Sequence, residues 1–192
     1  MVSQHSIEML KGDVGKTVTV TVVSYLIKKH ILKIPGLSLD NKLMVSTLAT
    51  IGGFAIYDFV GYRFDDKLGL KGNKKAAWVD ILKFGSMMVG KEFILSQYKG
   101  EEFQVNKLKN IGIALLSFVL YDLFVLPRQP KLATESKYEQ GALGDTIKTV
   151  LTFIITDFIP DFDIEMNNLP AILGLLVSVP IFHTIVRPMI SN

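Results

Sequence analysis

The sequence predicts an all-α, polytopic membrane helix bundle, with six helices arranged as three tandem helical hairpins in a pseudo-threefold layout. Three observations lead there. Six apolar stretches recur at 14–34, 43–62, 76–98, 108–127, 142–160 and 169–188. The odd-numbered stretches share one residue frame and the even-numbered stretches another. The polar residues of the odd stretches fall on one helical face. The whole chain, 1–192, reads as one membrane domain with repeats at 12–63, 76–128 and 141–188.

The odd stretches come first in each hairpin. Asp13-Val14-Gly15-Lys16 corresponds to Asp80-Ile81-Leu82-Lys83 and to Asp145-Thr146-Ile147-Lys148. Thirteen residues after each Asp stands a large apolar residue followed by Ile: Leu26-Ile27, Phe93-Ile94 and Phe158-Ile159. The stretch "GDVGKTVTVTVV" (12–23) offers two rival readings, a phosphate-binding loop and an alternating strand. A phosphate loop requires Gly five residues before Gly15, where Leu10 stands. Strict alternation is absent from the counterparts "FGSMMVG" (84–90) and "TVLTFII" (149–155), so helix fits all three copies.

The even stretches close each hairpin. "NKLKNIGIALLSFVLYDLFV" (106–125) aligns without a gap to "NNLPAILGLLVSVPIFHTIV" (167–186). "NKLMVSTLATIGGFAIYDFV" (41–60) shares the Asn-Lys-Leu start and the Tyr-Asp near the end, so Asp58, Asp122 and His183 correspond. These stretches are apolar nearly all round, as a span of ~20 residues across a ~30 Å hydrocarbon layer must be. The odd stretches instead carry Asp13, Lys16, Asp80, Lys83, Asp145 and Lys148 on a stripe that a bundle can turn inward. With Asp58, Asp122 and His183, they make up an expected ion-pair or relay layer. The proposed pairs are Lys16 with Asp58, Lys83 with Asp122, and Lys148 facing His183. Lys91 with Glu92, and Asp157 with Asp161, suggest a second polar layer.

Composition narrows the function. Hydrophobic residues make up 49% and charged residues 20%, against ~25% charged in a typical soluble domain. A net charge of +3 and no run of five basic residues give nucleic acid no footprint. The absence of cysteine removes thiolate and disulfide chemistry. Three scattered histidines form no metal set, and no spacing points to a catalytic group or a cofactor. Residues 1–13 have neither the apolar core nor the cleavage site of a signal peptide, so internal segments are expected to insert. An even number of spans puts both termini on one side. Connections 63–75 and 128–140 would share that side and carry Arg63, Lys67, Lys71, Lys74, Lys75, Arg128, Lys131 and Lys137, which favours the cytoplasm.

Three tandem hairpins around a polar centre, with Tyr57-Asp58 and Tyr121-Asp122 on even helices, are similar in outline to mitochondrial carriers. The chain is much shorter, and its odd helices lack the Pro-x-acid-x-x-basic ending. No basic residue follows three places after Asp58 or Asp122, so carrier function is not implied. The Lys- and Asn-rich turns "LDNK", "KGNKK" and "VNKLKN", in a cysteine-free chain without a signal peptide, resemble small polytopic proteins of the inner membrane and minor capsid layer of large icosahedral DNA viruses. That resemblance implies a non-enzymatic scaffold. Its partners would be the lipid bilayer and other proteins of a larger assembly, with no small-molecule substrate. A small channel or transporter using the charged stripe is the alternative.

Overall fold

The computed structural model describes residues 4–34, 41–103, 106–128, 137–157 and 169–190, and no strand occurs among them. Helix α1 (Gln4–Leu26) continues through a π-turn at Ile27–Ile31. Helix α2 (Asn41–Phe59) leads by a 3₁₀ turn at Gly61–Phe64 to α3 (Gly72–Lys99). Helix α4 (Asn106–Leu120) runs into a π-turn at Tyr121–Val125 and a 3₁₀ turn at Leu126–Arg128. Helix α5 (Lys137–Asp157) is followed by α6 (Leu169–Ile181), which passes through a third π-turn, Phe182–Val186, into α7 (Arg187–Ile190). Pro35, Pro160, Asp161, the acidic turn 160–165 and most of the 128–140 connection lie outside the described residues.

The Thr/Val stretch is helical, and helical hydroxyls of this kind are satisfied within their own helix. Thr19 Oγ1 donates to the Gly15 carbonyl one turn back at 2.7 Å. Thr149 and Thr152 do the same to Asp145 and Lys148 at 2.7 and 2.9 Å. A hydroxyl bonded in this way is satisfied without water, so a threonine-rich helix can still be buried.

Two helix ends show how the chain stops. At the end of α3, Gly100 has φ 67°, and the Gly100 and Glu101 amides cap the Gln97 and Ser96 carbonyls at 3.2 and 2.9 Å. This left-handed cap is glycine's usual role. After the first π-turn, Lys33 occupies the same conformation, with φ 51°, and the Ile34 amide reaches back to the Lys28 carbonyl at 3.0 Å. A side chain there costs roughly 1 kcal/mol relative to glycine.

The chain divides into two compact units, Met1–Leu10 with Val45–Gln129, and Lys11–Met44 with Pro130–Asn192. The first hairpin is therefore split, most of α2 going with α3 and α4 and the body of α1 with α5 and α6. In the first unit α3 packs on α4. Gly53 and Gly90 bring α2 and α3 together so closely that a Cβ on Gly53 would strike the Met87 backbone. Phe54, Phe84 and Phe118 then form a ring cluster, with centroids 6.0 and 4.5 Å apart. In the second unit α5 packs on α6. Gly15 lets α1 approach Phe182 and Ile190, and Gly174 seats α6 against Ser24.

The described residues bury an apolar and aromatic core together with several polar groups, and leave many large apolar side chains exposed. Large apolar side chains are exposed in rows four or eight residues apart: Val18, Val22 and Leu26 on α1; Met44, Leu48 and Ile56 on α2; Val89 and Phe93 on α3; Leu108 and Leu116 on α4; Leu173 and Val177 on α6. Asp13, Thr17, Asp58, Ser117, Asp122, Ser178 and His183 are buried. Among the described residues two stretches are long and apolar enough to cross a membrane, Ile111–Arg128 and Leu173–Ile190, and only 28% of each is buried. The other expected spans do not carry that signal alone.

Candidate functional site

The even helices bury the same four positions. These are Gly53, Phe54, Tyr57 and Asp58 on α2; Ser117, Phe118, Tyr121 and Asp122 on α4 and its π-turn; and Ser178, Val179, Phe182 and His183 on α6 and its π-turn. The spacing i, i+1, i+4, i+5 is one helical face, with an aromatic ring followed by an ionisable group at its end. The sequence reading aligned Asp58, Asp122 and His183, and all three are buried. After α4 and after α6 a π-turn begins at the aromatic residue, Tyr121 or Phe182.

The second unit assembles its ionisable groups into a connected centre. Asp145 Oδ2 on α5 accepts a hydrogen bond from Lys16 Nζ on α1. The same oxygen lies 2.8 Å from His183 Nε2 on the third π-turn. His183 Nδ1 faces Arg187 Nη1 at 3.4 Å. Guanidinium nitrogens only donate, so a hydrogen bond from Arg187 makes Nδ1 the acceptor and turns Nε2 toward the Asp145 carboxylate. Gly141 makes room, since a Cβ there would sit 2.9 Å from His183 Nδ1. Phe182 meets the imidazole edge-on at 5.1 Å.

Some expected pairings are corrected. Lys16 pairs with Asp145, not Asp58, and His183 meets Asp145, not Lys148. The reason is helix partnership: the body of α1 belongs to the unit of α5 and α6, which places Lys16 beside the third copy's Asp. Asp13 is buried on α1, while Lys148 on α5 and Asp80 on α3 are half-buried. Arg187 was missed by sequence reasoning; its position four residues after His183 on a helix was the available signal.

The first unit handles its charges among aromatic rings. Asp58 and Asp122 are fully buried, with Tyr57 and Tyr121 1–2% exposed beside them in sequence. Lys83 Nζ lies over the Phe54 and Tyr57 rings, 5.6 and 5.9 Å from their centroids. Each ring offers its negative face to the ammonium. The Tyr57 hydroxyl donates to Asp65 Oδ2 at 2.8 Å. Burial pushes the Asp65 carboxyl above the usual carboxylate range, and the Tyr57 hydrogen bond partly offsets this. Nearby, Trp78 Nε1 donates to the Phe64 carbonyl at 3.0 Å and His5 stacks edge-on against Tyr62.

Among the described residues no three His, Asp or Glu side chains form a group that could hold a metal ion. Comparison with protein families, curated proteins and solved structures finds no match.

Proposed function

We propose that the protein is a non-enzymatic integral membrane scaffold, a six-span bundle of three hairpin repeats that anchors partner proteins of a larger assembly through its polar connections. The observation that supports this reading is the set of exposed apolar rows on helices that bury ionisable groups. Exposed Leu, Val, Ile and Phe rows cost about 25 cal/mol per Å² in water and nothing comparable in lipid. Buried carboxylates are tolerated in a bilayer when they face the bundle and find partners. The Lys16–Asp145–His183 centre then serves as a lock that fixes the register of α1, α5 and α6. Termini on the cytoplasmic side follow from the basic connections. The Lys- and Asn-rich turns favour a virion membrane or minor capsid layer as the setting.

One observation favours a second reading. A histidine and a lysine meeting on one carboxylate make a chain of exchangeable protons, the kind of element a small proton channel or transporter uses. Two measurements separate the readings. Alkaline carbonate should leave the protein in the membrane fraction; its release would end the membrane proposal. Proton or ion flux into reconstituted liposomes should be absent for both the wild type and Asp58→Asn/Asp122→Asn. Flux that disappears in that variant, while the bundle stays folded, would replace the scaffold reading with transport.

A further inference from the structure

We propose that the second unit carries a binding site for one anionic phospholipid, with an acyl chain in an apolar slot and the phosphate on Lys28 and Lys29. The slot has a volume of about 260 Å³. Val20, Ser24, Tyr25, Leu43 and Leu175 wall it, with Lys28 at one end. Three helix ends create it: the last turns of α1, the first turn of α2 and the early part of α6. The α6 wall reaches this far because Gly174, with no side chain, sits directly on Ser24 and so brings Leu175 to the opening.

Two features commit the slot to a lipid. Its walls are largely apolar, a surface that a free phosphate has no use for. Its basic end is formed by consecutive lysines on the first π-turn, where the chain leaves the apolar stretch and a headgroup layer would begin. Lys29 Nζ stands 3.1 Å from the Tyr25 hydroxyl and 5.4 Å from the ring centre, which holds its ammonium beside the slot. Lys28 forms no ion pair among the described residues. The hydrogen bond from the Ile34 amide to the Lys28 carbonyl fixes the turn that presents both side chains. Phosphate oxygens attract such ammonium groups strongly at a membrane surface.

The site rests on the membrane reading, and the two fail separately. Release from membranes by carbonate would end both. An integrated protein without lipid preference would end only this one. The test is native mass spectrometry of the full chain in mixed micelles containing equal phosphatidylglycerol and phosphatidylcholine, with glycerol phosphate as a competitor. Wild type should retain phosphatidylglycerol in preference to phosphatidylcholine. Each of Lys28→Gln and Lys29→Gln should weaken that preference about fivefold. Leu175→Trp, which fills the slot, should lose both lipids, and glycerol phosphate should not compete. Equal retention of the two lipids, a preference untouched by the lysine variants, or full competition by glycerol phosphate would each overturn the proposal. Should Leu175→Trp fail to fold, the lysine variants, which change one half-buried and one exposed side chain, decide alone.

Discussion

The two units bury ionisable groups in different ways. In the second, Lys16, Asp145, His183 and Arg187 come from three helical segments and satisfy one another by directed hydrogen bonds. In the first, Asp58 and Asp122 share their face with aromatic rings, and Lys83 lies over Phe54 and Tyr57. Helix approach differs as well. Gly53 faces backbone at Met87, whereas Gly15 faces the side-chain tips of Ile190 and Phe182. A directed network depends on every member. A ring cluster spreads its energy over many small contacts and tolerates individual losses better.

The sharpest way to break the second unit is Asp145→Ala. It strands Lys16 beside a histidine that has lost its acceptor, and the expected loss is about 3 kcal/mol. Thermal denaturation in detergent reads this loss, and Lys16→Met/Asp145→Leu should recover most of it. A recovery no better than the single variant would mean that the charges are not coupled. Next comes the glycine contrast. Gly53→Ala meets a rigid backbone and should cost about 1–3 kcal/mol, whereas Gly15→Ala meets side chains that can turn aside and should cost less. Equal losses on the same assay would erase the difference between the two units.

A smaller effect has the opposite sign. Lys33→Gly relieves a left-handed side chain and should stabilise the second unit by roughly 1 kcal/mol, seen as a higher melting temperature. The smallest effect concerns Asp65 in the first unit. Its folded pKa is raised by burial, so the folded state binds the proton more tightly than the unfolded chain. The associated stabilisation is complete below pH ~3.9 and is lost as pH rises through the folded value. Asp65→Asn should remove that slope, and Tyr57→Phe should move it to higher pH, because the hydroxyl's hydrogen bond favours the ionised form. Melting curves between pH 3 and 7 check both.

Helix over the Thr/Val stretch was legible, because alternation failed in the other two copies. So was a shared place for Asp58, Asp122 and His183 in the aligned frame, and all three are buried. The partner of Lys16 was not. A repeat tells which residues correspond, but contact depends on which helices become neighbours, and the first hairpin is divided between units. The π-turns were also hidden, for they depend on how side chains pack around one surplus residue rather than on any motif. The lipid slot escaped for a similar reason. Leu43 and Leu175 carry no sign in the sequence that they will meet the end of α1.

Those π-turns give the chain an unusual tolerance. Each holds one amino acid beyond what an α-helical turn would use, so deleting a residue within Phe182–Val186 need not sever the rod. The turn would tighten from π to α and absorb the loss locally, leaving Arg187 three places after His183 and still on its face. At these places a change in length is taken up on the spot, and the helix tip keeps its aim.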